Sequence, residues 1–304
     1  MQDKLTNKFI KDGFVNIGKI LDHSDVIYLK EKCLKLLNET DKTDFYKKIN
    51  KTSYYRPVLD NKDWAVLENL IGLSDKFDTI MEKFFNNQKF KSVLESVIGK
   101  NYKLWTCSVR LAKGEDSGLG FHNDRAGEVG VTILLENQLD EKGTTSVIAG
   151  SHKWPVTSQE TKSESIPTSF LKPFSKPITG EAGETFLFFK KTLHGRIAHK
   201  SKKSGLAIMI GIYPVGYTFT PYKVPDEILN KVGPESKRLM SDDNLKLINN
   251  IGEYLITGEK QKNFIDELRS LKLKFYSPFN LVKLYPKLIV TPVQGVKRII
   301  KKIF

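Results

Sequence analysis

Between residues 104 and 213 the chain strings together short runs of β-branched and aromatic residues with no helical pattern between them, and this limits the fold more than any other feature. The runs span 104–111, 129–135, 185–189 and 206–213, and glycine-bearing loops separate them. Strands that follow one another without crossover helices pair antiparallel, and they hide their apolar faces by closing into a sandwich or a jelly roll. Residues 157–180, rich in Ser, Thr, Lys and Pro, are expected to interrupt the strands as a long polar insert.

Helices are expected on either side of this β region. A short strand over 13–17 leads into a helix over 24–38, where Asp22, His23 and Ser24 offer N-cap side chains and Val26, Leu29, Cys33 and Leu37 recur at helical spacing. Two more helices fall within 75–98, with Gly99 as terminator. Beyond Pro214, residues 226–231, 235–251 and 259–273 carry helix formers and mixed charge. The reading is a mainly β domain with α additions over 1–220, and a helical extension over 221–304.

No stretch approaches the roughly 18 apolar residues that span a bilayer, and the first residues lack the layout of a secretory signal, so a cytoplasmic protein is expected. Cys33 and Cys107 have no partner spacing for zinc or a disulfide framework and are read as buried thiols. The net charge of +14 points to anionic partners or surfaces. Without a helix-turn-helix, zinc-finger or RNP-like signature, it does not point to sequence-specific reading of nucleic acid. The last 18 residues, 287–304, hold five basic and no acidic residues among Val, Ile, Leu and Phe, a pattern suited to a peripheral membrane contact or to docking on the chain's own domain.

Five histidines stand at 23, 122, 152, 194 and 199, so a histidine-bearing metal site must draw on these. His122 and Asp124 are one residue apart, which on an extended chain sends both side chains to one face. His194 lies 72 residues further on, directly after a strand, where a jelly roll can fold it back beside His122. Two imidazoles and one carboxylate make the facial triad of non-haem Fe(II) oxygenases, which leaves coordination positions open for an oxo-acid and O2. His152, in the turn Gly150-Ser151-His152, is read as structural, and His23 as part of a helix start. Tyr102 and Trp105 are candidates for pocket walls, or for core.

Four ordered segments over about residues 8–215 resemble the phytanoyl-CoA dioxygenase family. They are Phe9-x-x-Asp12-Gly13-Phe14-Val15, then Phe121-His122-Asn123-Asp124, then the segment 143–153 with its Gly150-Ser151-His152, and finally Ala182-Gly183-Glu184-Thr185-Phe186-Leu187-Phe188 followed by Leu193-His194-Gly195. The resemblance implies a double-stranded β-helix, a cupin-like jelly roll, with Fe(II) held by His122, Asp124 and His194. It also implies decarboxylation of 2-oxoglutarate to succinate coupled to oxidation of an unactivated C–H bond of a small molecule. Asp124 fills the position that related halogenases leave as Gly or Ala, so hydroxylation is the implied outcome.

One departure stands out. The family usually places an arginine about eleven residues after the distal histidine to hold the far carboxylate of 2-oxoglutarate, and here that position is Gly205. Replacement cations nearby are Arg196, Lys200, Lys202 and Lys203 on one side and Arg110 and Lys113 on the other, with Arg110 the first choice because its strand should face the site. His199 and Ser201 fall where the family often has an Asn-x-Ser pair near the co-substrate. The gap at 205 also leaves room for a non-catalytic ligand-binding or membrane-associated protein on the same fold. An anionic small-molecule substrate fits the charge balance.

Overall fold

The computed structural model describes residues 2–39, 56–60, 64–114, 118–124, 127–138, 144–153, 171–196, 204–214 and 224–241. Eleven strands among them form two antiparallel sheets. The larger sheet runs β1 (Phe14–Lys19), β9 (Glu184–Phe189), β6 (Val129–Leu134), β11 (Gly205–Pro214), β4 (Tyr102–Ala112), β3 (Trp64–Glu68) and β2 (Arg56–Asp60). The smaller runs β5 (Leu119–His122), β10 (His194–Arg196), β7 (Thr145–Ile148) and β8 (Ser175–Pro177). This is the expected jelly roll of double-stranded β-helix type.

Side-chain alternation decides what each face of the larger sheet does. Val109 on β4, Val131 and Ile133 on β6, Leu187 and Phe189 on β9, and Leu206, Ile208 and Ile210 on β11 point outward into one large apolar core. That core is closed by α1 (Gln2–Asp12), α2 (His23–Glu39), α3 (Asp75–Phe85) and α4 (Gln88–Ile98), which contribute Phe9, Leu29, Cys33, Phe77, Phe84, Phe90 and Leu94. Phe9 stacks on Phe189 with ring centroids 4.3 Å apart, so α1 is anchored to the sheet directly behind the site. The residues between these, Ser108, Arg110, Thr132, Ala207 and Met209, line spaces on the inward face, opposite the smaller sheet. The larger apolar core therefore lies outside the roll, while a smaller one, Leu134, Val147, Ile178, Phe186 and Ala207, joins the two sheets inside it and the rest of the interior is left to polar side chains.

Local signals account for the helices. Ser74 caps α3 by accepting from the Phe77 N–H, and Asn87 caps α4 by accepting from Lys89 and Phe90. Gly99 ends α4 at φ 81°, as its position suggested. The helix α1 was not expected, because only Leu5, Phe9 and Ile10 interrupt its polar residues. The insert expected over 157–180 is shorter at its end than anticipated: residues 171–180 hold a 3₁₀ turn (Lys172–Phe174), β8 and a bridge from Gly180 to Gln138, all fixed by backbone pairing to neighbouring segments.

After β11 the described segment 224–241 holds α5 (Asp226–Leu229) and α6 (Pro234–Met240). It is tied to the rest: Glu82 on α3 accepts from the Glu235 and Ser236 N–H groups at 2.8 Å, and the buried Lys103 ammonium donates to the carbonyls of Arg238 and Ser241 at 2.6 and 2.8 Å. The helix expected over 259–273, the later part of that over 235–251, and the basic tail lie outside the described residues. No helix among the described residues is long and apolar enough to cross a membrane. Cys33 and Cys107 are both buried free thiols; burial pushes Cys33 up to about 12 and Cys107 well above the ordinary thiol value.

Candidate metal centre

Strand register brings the two histidines together. His194, first residue of β10, is paired directly opposite His122, last residue of β5, and their rings lie 4.4 Å apart. This pairing needs Gly195, where a Cβ would sit 2.6 Å from the Leu119 carbonyl oxygen and about as close to Gly120. Asp124 is brought in by the loop after β5. Its N–H donates to the Lys190 carbonyl at 2.8 Å, and the Lys190 N–H in turn donates to the Glu128 carbonyl. Asp124 carboxylate oxygens then stand 3.4 Å from His194 Nε2 and 4.0 Å from His122 Nε2. The three donor atoms lie within 4.8 Å of one another.

Both imidazoles are held in the tautomer a metal requires. His122 Nδ1 donates to the Gly120 carbonyl at 2.9 Å and His194 Nδ1 to the Thr192 carbonyl at 2.8 Å. A carbonyl can only accept, so each Nδ1 carries the proton and each Nε2 presents its lone pair toward Asp124. Phe188, on the larger sheet, packs on His194 with centroids 5.1 Å apart, and Gly130 beneath it leaves the room it needs, since a Cβ there would meet the Phe188 ring at 2.6 Å. Burial alone would raise the Asp124 pKa, but the Lys190 ammonium at 3.2 Å helps hold the carboxyl far below the usual carboxylate range. Burial also lowers His194, which keeps it neutral. Two imidazoles whose Nε2 atoms face an ionised carboxylate are a donor set suited to a divalent first-row metal, with one carboxylate too few for calcium and no thiolate to favour structural zinc. Asp124 is 36% exposed while His194 is 9%, so access is from the carboxylate side.

A cavity of about 300 Å³ opens beside Asp124, walled by Glu68, Trp105, Ser108, Arg110, Glu128 and Lys190. A smaller one, about 40 Å³, lies deeper between the sheets and shares Arg110 and Met209 with it; its wall includes Arg196, Trp64, Thr132, Gln138, Leu134 and Ile178. Of the residues expected near the co-substrate, Arg110 thus faces the interior, Lys113 lines neither cavity, and His199 and Ser201 lie outside the described residues. Trp105 lines the larger cavity, whereas Tyr102 is core, buried beside Arg238. His152 is structural: it is fully buried, its Nε2 donates to the Ile10 carbonyl at 3.0 Å, and its ring lies against Phe189. Arg196, one of the replacement cations read from the sequence, also lines the smaller cavity, and it stands two residues after His194 and so shares its face. Trp64, whose ring lies beneath both guanidinium groups, was not singled out in the sequence.

The family model described as phytanoyl-CoA dioxygenase (PhyH) matches residues 9–205. A curated relative, dioxygenase aneA of Aspergillus aculeatus, is 24% identical over 208 residues, covering 62% of this chain and 67% of its own. Among solved structures, the non-heme alpha-ketoglutarate-dependent epimerase SnoN from nogalamycin biosynthesis superposes with a TM-score of 0.55 at 14% identity, over 74% of this chain and 87% of that one. HygX from Streptomyces hygroscopicus, solved with nickel, 2-oxoglutarate and hygromycin B, gives 0.53 at 14% identity, over 72% and 88%. At these identities the structural likeness speaks to the fold.

Proposed function

Because this chain belongs to the phytanoyl-CoA dioxygenase family, and so is an Fe(II)- and 2-oxoglutarate-dependent dioxygenase, we propose that it hydroxylates an unactivated C–H bond of a small metabolite, with His122, Asp124 and His194 as the metal ligands. The observation that carries the assignment is the convergence of those three side chains, with both Nε2 atoms facing one carboxylate. When bound, the iron supplies the dioxygen chemistry that couples oxidative decarboxylation of 2-oxoglutarate to substrate oxidation. The chain's own contribution is positional. The carbonyls of Gly120 and Thr192 fix the two imidazole tautomers, Lys190 keeps Asp124 ionised, and Phe188 keeps the His194 ring from rotating. Asp124 as a carboxylate leaves no halide position, which favours hydroxylation. The non-catalytic alternative raised by Gly205 gives no account of two metal-competent tautomers meeting at one carboxylate.

Wall chemistry bears on the substrate. Glu68 and Glu128 oppose Lys190 and Arg110 around the larger cavity, so the substrate we infer is a small polar molecule; its anionic character rests on the net charge of +14. SnoN belongs to nogalamycin biosynthesis and HygX was solved with hygromycin B, which fits a polar small molecule in this cavity too. A peripheral contact of residues 287–304 with anionic lipid is a separate proposal, checked by sedimentation of full-length and truncated chain with phosphatidylserine vesicles.

Anaerobic addition of Fe(II) and then 2-oxoglutarate should give a weak visible charge-transfer band that His194→Ala lacks. Screening polar metabolites in air should then find one that triggers stoichiometric succinate release and gains a hydroxyl group. No band at saturating ligand, or succinate release with a product other than an alcohol, would overturn the hydroxylase assignment.

A further inference from the structure

Gly205 removes the arginine that relatives use to hold the far end of the oxo-acid, yet the roll interior at that level is strongly cationic. Arg110 lies on β4 in register with Ala207 on β11, two residues from Gly205, and points into the space between the sheets. Arg196 reaches the same space from β10, on the face of His194. Their guanidinium carbons stand 5.4 and 4.7 Å from the centre of the Trp64 ring, so one indole gathers both cations. Arg196 is only 8% exposed.

Like charges brought together inside a protein are costly unless something negative joins them. For Arg110 nothing does at bonding distance: the Asp124 and Glu68 carboxylates act on it only through space, among the described residues its guanidinium makes no ion pair and no hydrogen bond, and its Nε is buried without an acceptor. An arginine in that condition is a site awaiting an anion. The small cavity it lines has room for a few water-sized groups, which suits one carboxylate and not a whole ligand. It shares Arg110 and Met209 with the wall of the larger cavity, and that larger cavity is also lined by Asp124. A short dicarboxylate can therefore lie with one end at the metal ligands and the other at the arginines. Two residues along a strand advance about 6.6 Å, so Arg196 stands a five-carbon chain's reach beyond His194.

We infer that Arg110 and Arg196, gathered on Trp64, form a two-guanidinium clamp for the far carboxylate of 2-oxoglutarate and replace the single arginine missing at Gly205. The inference rests on the proposed function. Thr132, Thr144 and Gln138, on the same wall, supply further polar groups around that carboxylate. Relocating the cation from β11 to β4 keeps it in the same layer of the roll, because β4 and β11 are adjacent strands paired Arg110 to Ala207.

The test uses the full chain loaded with Ni(II), and calorimetric titration with 2-oxoglutarate and with 2-oxobutyrate, which has the same oxo-acid head but no far carboxylate. Wild type should bind 2-oxoglutarate more tightly. Arg110→Met and Arg196→Met should each weaken 2-oxoglutarate by about 10- to 100-fold, the range for losing a charge-assisted hydrogen bond, and leave 2-oxobutyrate unchanged. Gly205→Arg added to Arg110→Met should restore part of the loss. If Arg110→Met does not fold, Arg110→Lys, which keeps the charge but not the fork, is read the same way with a smaller drop. Variants that keep wild-type affinity for 2-oxoglutarate, or that lose both oxo-acids equally, overturn the clamp and leave the proposed function standing. A wild-type Ni(II) protein that binds neither oxo-acid overturns the proposed function and the clamp together.

Discussion

His122 and His194 use the same local device, an Nδ1–H donated to the carbonyl two residues earlier, so each strand end orients its own ligand. That device is invisible in sequence, although the three side chains that meet there, our proposed ligands, were named from spacing and motif order. His152 shows the opposite case, a histidine whose role is burial. In the folded chain desolvation pushes it down to about 4, against about 6.5 when unfolded. Between those values the unfolded state holds the extra proton, so the contribution to stability is complete above about pH 6.5 and is lost as the pH falls toward 4, by up to about 3 kcal/mol. His152→Gln keeps a donor for the Ile10 carbonyl but does not titrate. Urea unfolding at about pH 7 and pH 5 should therefore show a smaller loss in the variant than in wild type, and equal losses would exclude this role.

Elements differ in how plainly they announce themselves. The long strands β4, β6, β9 and β11, the helix α2 and the capped helices α3 and α4 were readable because each carries enough residues for its period to repeat. β10 has three residues and β5 four, too few for any periodicity, and what defines them is the approach of one backbone to another. Gly195 embodies that approach. Gly195→Ala pushes a methyl group against the Leu119 carbonyl, so β10 must shift from β5 and separate the paired histidines. The expected result is Fe(II) affinity weaker by about tenfold or more with native circular dichroism retained; unchanged affinity would mean the pairing tolerates the shift. Glu82 sets the second element-scale case, since its carboxylate receives both N–H groups at the start of α6 and the Ser236 hydroxyl. Glu82→Ala should lower unfolding free energy by about 1 kcal/mol, the usual worth of a cap, while leaving metal affinity intact, as denaturant titration with and without Ni(II) would show.

At the scale of the whole molecule, the roll places its larger apolar core outside, under α1 to α4, and the space between its sheets holds charged side chains beside a smaller apolar cluster. All three proposed metal ligands belong to the smaller sheet or the loop that leaves it, whereas the proposed clamp takes Arg110 from the larger sheet and Arg196 from the smaller. An oxo-acid held at both ends thus ties the two sheets together, and anything that binds only the folded state raises its stability by mass action. Ni(II) at about 100 times its dissociation constant should add about 2.7 kcal/mol, and 2-oxoglutarate at the same multiple should add a similar increment on top. Scanning calorimetry would resolve both as successive rises in melting temperature. His194→Ala should lose the two rises together, because the oxo-acid head depends on the metal. Arg110→Met should keep the first and, at the wild-type concentration of 2-oxoglutarate, lose about half of the second if binding is tenfold weaker and most of it if a hundredfold weaker. If Arg110→Met retained the full second rise, the oxo-acid would be anchored to the smaller sheet alone and the two sheets would not be coupled through it.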